Sequence, residues 1–193
     1  MNEMAIVLGF AHDYRVEEVI ELGMGLQVEK HFYFPGASEK GGRDGVLLRI
    51  IPVRGTSWVG TFAFGNDIPK AVTGVYSCPD PDSLCVISKG EGYLVSATEP
   101  TLWQRIDIYP ILDVRIMKDV ELLLFSDHTK IAAYDPQGHR WTTKDLSWDG
   151  IEITDVTTEQ VCGLGWDSPM QRDVEFMVDL QTGKHVGGSS PYA

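Results

Sequence analysis

Leu84-Cys85-Val86-Ile87-Ser88, Leu122-Leu123-Leu124-Phe125-Ser126 and Val161-Cys162-Gly163-Leu164-Gly165 lie 38 and then 39 positions apart, and their recurrence decides the fold. Each is a short apolar run bounded by turn residues, the pattern of a buried strand. A turn and a second strand-like run follow each one, at residues 92–95, 129–134 and 174–178. A further strand-like segment precedes each, at residues 73–77, 112–117 and 151–156. Trp103 and Trp141 close the first two units at the same spacing; the third carries Thr182-Gly183-Lys184-His185-Val186 instead. Three or four short strands per unit of about 38–40 residues predict antiparallel meanders, propeller-like or barrel-like. No strand-to-helix alternation suggests a parallel sheet. The fold class is all-β.

Outward from the repeat, residues 72–193 read as three blade-like units and residues 1–71 as an irregular strand region, together one compact domain. Residues 4–10 predict a short buried strand and His31-Phe32-Tyr33-Phe34 another. Residues 46–53 and 58–64 predict a hairpin around Arg54-Gly55-Thr56-Ser57. Residues 13–22 place Val16, Val19 and Ile20 at helical spacing, with Asp13 as cap and Gly23 and Gly25 as stop signals. This predicts one N-terminal helix, with a strand as the alternative. Residues 35–45, rich in Gly, predict a mobile exposed loop; the other reading is a binding loop that orders on contact. The N-terminal strands supply a fourth unit for a small four-bladed propeller or an open stack. Unclosed edges would favour a homodimer through strand pairing.

Lys130-Ile131-Ala132-Ala133-Tyr134-Asp135-Pro136-Gln137-Gly138-His139-Arg140-Trp141 resembles a strand-turn-Trp unit of quinoprotein-like β-propellers, and Val178-Asp179-Leu180-Gln181-Thr182-Gly183-Lys184 does so more faintly. The resemblance implies that Asp and Gly shape the turn and that the Trp packs between blades. The spacings among Asp135, Gly138 and Trp141 are shorter than in that family, so architecture is implied and cofactor use is not. Residues 141–150 also resemble a recurring segment of uncharacterised bacterial proteins, a likeness that brings no function with it.

Charge narrows the function classes. The 193 residues include 28 acidic and 16 basic side chains, a net charge of −12. Residues 1–71 hold 9 acidic and 7 basic, leaving 19 and 9 in residues 72–193, so the excess sits in the C-terminal two-thirds. Such a field repels phosphate backbones and anionic lipid, and no basic cluster makes a local exception; neither nucleic acid nor membrane is an expected partner. No apolar run reaches the roughly 18–20 residues of a membrane span, and the N-terminus lacks a basic flank. Cys78, Cys85 and Cys162 match no zinc spacing. They point to reduced thiols and a cytoplasmic setting, with a Cys78–Cys85 staple as the alternative in an exported chain.

No catalytic signature is present, and no catalytic residue, metal site or cofactor is expected. Gly23-Met24-Gly25 is only a fragment of a dinucleotide fingerprint. The adjacent pairs His12-Asp13 and Asp127-His128 read as solvated loop residues, since neighbouring side chains point to different faces. Cys162 reads as core; a triad with His139 and an Asp would need tertiary contacts that the sequence does not display. Asp80-Pro81-Asp82-Ser83 reads as a turn, with a calcium contact as the alternative. The most specific feature is aromatic: Trp141, Trp148 and Trp166 lie near turns, with Asp149 and Asp167 directly after two of them. Either these indoles pack between sheets, or they form a Trp/Asp binding surface. The expected function is a non-enzymatic protein-interaction module, of inhibitor or immunity type, that takes a basic protein partner on its acidic region. The alternative is a small-molecule or carbohydrate-binding protein, or a hydrolase using Asp149 and Asp167.

Overall fold

The structure, a computed structural model, describes residues 4–20 and 30–191. The chain forms two units, Met1–Ile106 and Asp107–Ala193. The first holds β1 (Ala5–Val7), β2 (Tyr14–Glu18), β3 (Lys30–Phe34), β4 (Gly45–Pro52), β5 (Trp58–Ala63), β6 (Gly74–Ser77), β7 (Ser83–Ser88), β8 (Glu91–Ser96) and β9 (Trp103–Arg105). The second holds β10 (Asp113–Met117), β11 (Leu122–Ser126), β12 (Ile131–Asp135), β13 (Gly138–Thr142), β14 (Ile151–Val156), β15 (Gln160–Asp167), β16 (Arg172–Asp179) and β17 (His185–Gly187). Apart from one 3₁₀ turn at Lys118–Val120, the described elements are strands.

The three repeats form β6–β9, β10–β13 and β14–β17, each an antiparallel meander of four strands in chain order. The aligned apolar runs are β7, β11 and β15, the second strand of each sheet. Interior strands are buried on both faces, and so β7 and β11 read as continuous apolar runs. The first repeat shares its unit with the N-terminal strands, four of which form a further sheet in the order β2-β4-β5-β3. That sheet is not a meander: β3 runs parallel to β5, and β1 adds in parallel to β6.

The expected N-terminal helix is a strand. Tyr14 to Glu18 pair antiparallel with Pro52 to Leu48. Tyr14 is buried and Val16 packs on the core while Arg15 and Glu17 face outward, so a period of two outweighs the helical spacing. Gly23 and Gly25 lie outside the described residues. Residues 4–10 are also less buried than expected: only Ala5–Val7 form a strand, a short exposed edge, while Met4 and Leu8 pack on the core and Phe10 is buried. The hairpin of β4 and β5 forms as expected, with Gly45 already paired with Ala63. The preceding loop bonds to itself: Ser38 N–H donates to Gly42 O at 2.8 Å and Arg43 Nε to Gly36 O at 2.6 Å.

In each unit the two sheets share a hydrophobic core. In the first, Phe34 stacks on Phe62 at 4.6 Å between ring centres, beside Trp58, Tyr93 and Trp103. In the second, Leu122, Leu124 and Ile131 of one sheet meet Val161, Phe176 and Val178 of the other, with Trp141 among them. An indole ties each pair of sheets together. Trp58 Nε1 donates to Ala97 O at 2.7 Å and Trp141 Nε1 to Leu180 O at 2.9 Å, each across 39 positions of sequence.

Cys78 and Cys85 are buried free thiols and form no staple. Burial pushes both thiols well above their ordinary range. Cys162, expected in the core, is only half-buried. Because the thiolate is the reactive form, iodoacetamide is expected to modify the native protein once, at Cys162, and the denatured chain at all three cysteines. Mass spectrometry of the two reactions checks this; native labelling at Cys85 would contradict the packing of β7.

Candidate functional site: an acidic, aromatic sheet face

Strand β15 alternates strictly, with Val161, Gly163, Gly165 and Asp167 turned inward and Cys162, Leu164 and Trp166 outward. Register extends the outward row across the sheet. Cys162 lies between Asp155 and Met177, Leu164 between Glu152 and Glu175, and Trp166 beside Asp173. Val186 of β17 continues the Met177 row. The result is an apolar band flanked by carboxylates, on which none of these paired positions is Lys or Arg. Met177 is 42% exposed and Val186 71%, although both are aliphatic. Around Trp166 the face dips into a depression of about 270 Å³, lined by Asp149, Glu152, Leu164 and Asp173.

The five singled-out residues divide between the two roles. Trp166 and Asp149 line this depression. Trp148 is 37% exposed, its Nε1 donating to Ser189 Oγ at 3.1 Å. Trp141 is 7% exposed and occupied by packing, with Gly183 laid against its ring. Asp167 is 8% exposed and faces inward, where its Oδ1 accepts the Met170 N–H at 2.8 Å. Asp149 has a neighbour that sequence adjacency hid: His128 Nδ1 lies 3.4 Å from its Oδ1. Asp127 instead closes its own turn, accepting the Thr129 and Lys130 N–H groups at 2.7 Å.

The remaining candidates are held apart by separate partners. His139 Nε2 bonds with Thr142 Oγ1 at 2.9 Å, and Cys162 Sγ accepts from the Gln160 amide at 3.6 Å. Asp80 accepts the Ser83 hydroxyl at 2.6 Å, and Asp82 accepts those of Ser96 and Thr98 at 2.6 and 2.9 Å. These carboxylates therefore fasten a turn and a strand end. Among the described residues, no group of His, Cys, Asp or Glu side chains is placed to hold a metal ion. No described helix is long and apolar enough to cross a membrane.

No family model matches the chain, and no curated protein matches it. Among solved structures it is similar to the N-terminal domain of Nup159, with a TM-score of 0.40 and 13% identity over 98% of this chain and 55% of that one. It is also similar to a chain in an S. cerevisiae complex of a Dbp5 variant bound to Nup159, a Gle1 variant, IP6 and ADP, with a TM-score of 0.36 and 12% identity over 100% of this chain and 54% of that one. The chain thus spans about half the length of the structures it matches. The all-β architecture rests on the strand pairings above. Within residues 130–141, Asp135 Oδ1 accepts the Gln137 N–H at 2.8 Å, Gly138 takes a φ of 110°, and Trp141 packs between two sheets; no quinoprotein family model accompanies this geometry.

Proposed function

We propose that the protein is an interaction module that receives a basic protein segment on the outward face of β14–β17. The observation that carries the reading is an apolar band, Leu164, Trp166, Met177 and Val186, ringed by Glu152, Asp155, Asp173 and Glu175 with no opposing cation in the ladder. Exposed apolar surface next to unpaired charge of one sign favours a partner of the other sign. A second copy of the chain would bring the same carboxylates and a net charge of −12. An extended segment alternating Arg or Lys with aliphatic residues meets both requirements: its cations reach the carboxylates and the Trp166 ring, and its aliphatic groups cover the band.

A six-residue peptide alternating Arg and Leu is the test probe. Titration is expected to move the amide resonances of β14–β17 saturably, with affinity falling about tenfold as salt rises from about 0.05 to about 0.5 M. A Glu152→Lys/Asp173→Lys double variant of unchanged thermal midpoint is expected to lose the binding. Equal binding by wild type and double variant, or shifts confined to other sheets, would refute the reading. Concentration-dependent dimerisation blocked by the same reversals would instead assign the face to a second copy.

A further inference from the structure

A second concavity in the C-terminal unit has chemistry of a different kind. A cavity of about 540 Å³ opens among the start of β11, strand β13 and the turns that follow β14 and β16. This lies within the usual range of small-ligand sites, about 300–1,000 Å³. Val120, Leu122 and Leu180 give it an apolar lining, and Arg140, Glu159 and Asp179 bring charges of both signs to it.

Arg140 is there because of a β-bulge. Ala133 pairs with Trp141 and Tyr134 with His139, so Arg140 is an extra residue with no ladder partner. Bulges re-aim side chains and are enriched beside functional sites. This one lets Trp141 enter the core while the adjacent Arg140 lines the cavity. The nearest carboxylate to Arg140 is Asp135, at 3.9 Å, the loosest of the protein's described ion pairs. The guanidinium thus retains donors for a ligand.

The opposite rim is braced. Leu180 N–H donates to Glu159 O at 2.9 Å, which ties the two turns together, and Gly183 rests on the Trp141 ring. Asp179 Oδ1 accepts both the N–H and the hydroxyl of Thr182, at 2.8 and 2.6 Å, and these bonds hold the carboxyl below its ordinary range. The Gln181 N–H and the Lys184 ammonium also act on the Asp179 carboxyl, while the Glu159 carboxylate makes no hydrogen bond or ion pair among the described residues. A preformed rim of this kind places acceptors without an ordering cost on binding.

We infer that this cavity is a binding site for a small zwitterion with an aliphatic side chain, an α-amino acid of the leucine type. Arg140 takes its carboxylate in a forked pair, Glu159 and Asp179 take its ammonium, and Val120, Leu122 and Leu180 receive the side chain. A lining that holds one Arg and two acidic residues disfavours a dianion and suits a ligand with one charge of each sign. The site is independent of the outward face of β14–β17 and makes no use of its residues.

The test is calorimetric and NMR titration of the 193-residue chain with L-leucine, L-leucinamide and N-acetyl-L-leucine. L-leucine is expected to bind saturably at millimolar concentration or below, shifting amides of residues 120–122, 139–141 and 179–183. Loss of either charge, in L-leucinamide or N-acetyl-L-leucine, is expected to weaken binding about tenfold. Arg140→Gln should abolish the preference for L-leucine over L-leucinamide, and Glu159→Gln its preference over N-acetyl-L-leucine. Both substitutions are at the surface, and Thr158→Ala serves as a folding control at the same rim. No saturable binding of L-leucine up to about 20 mM, or equal binding of all three compounds, would overturn the assignment.

Discussion

Trp141→Ala is expected to cost about 3–5 kcal/mol and to lower the thermal midpoint by about 6–20 °C. The indole is nearly inaccessible and stands between the two sheets of its unit, in contact with the residues that join them. Removal leaves a cavity against Gly183, whose α-carbon sits so close to the ring that an added methyl would lie 2.6 Å from Cδ2. It also strands the Leu180 carbonyl, which accepts the Nε1 proton in a buried setting. Trp141→Phe separates the two contributions, keeping most of the packing and losing the hydrogen bond, and is expected to cost about 1–3 kcal/mol. Trp148→Ala is the control. That indole is over a third exposed and its partner is a surface hydroxyl, so its midpoint should move little. Equal midpoints for Trp141→Ala and wild type would mean that the sheets are not joined in this way.

Trp58→Ala is expected to be as costly, and its damage should begin in the other unit. Trp58 is buried, meets Phe32 edge-on at 5.6 Å between ring centres and donates to Ala97 O at 2.7 Å. Its deletion opens the aromatic cluster of Phe34, Phe62 and Tyr93, a loss of about 3–5 kcal/mol. Hydrogen exchange of the variant should show protection lost first in β4, β5 and β8. In Trp141→Ala it should be lost first in β12, β13 and β16. Loss beginning in β10–β17 for Trp58→Ala would contradict the local role of that indole.

The sequence made the repeated strands legible for a physical reason. Where a strand is covered on both faces, composition alone marks it, and Leu84–Ile87 and Leu122–Phe125 are such runs. Residues 13–22 carried two periods at once, and only pairing with β4 selects the period of two. The parallel partnership of β3 with β5 joins segments separated by a loop and a full strand, a choice absent from local pattern. The same limit governs the sites. Trp166 and Asp149 stood out as a Trp and an Asp beside turns. Met177, Val186, Glu152 and Asp173 join them only through cross-strand register, which no residue type announces. Arg140 gave a faint signal in the compressed spacing of Asp135, Gly138 and Trp141, the hairpin in which the bulge lies.

The parallel edge strand β1 has a consequence for how the chain is made. Ala5 pairs with Gly74, so β1 has no partner during synthesis until about seventy more residues have been added. Closing so long a loop is slower than closing a hairpin, and the partner is ready only after β6 has emerged. In β10–β17 each ladder joins neighbours in the chain, so within each of the two sheets every strand after the first meets the edge left by the one before it. The order of synthesis and the order of assembly therefore agree in the C-terminal unit and disagree at the N-terminus. A nascent chain paused before residue 74 would carry Ile6 and Val7 on an open strand, the state in which a holdase would have most to cover.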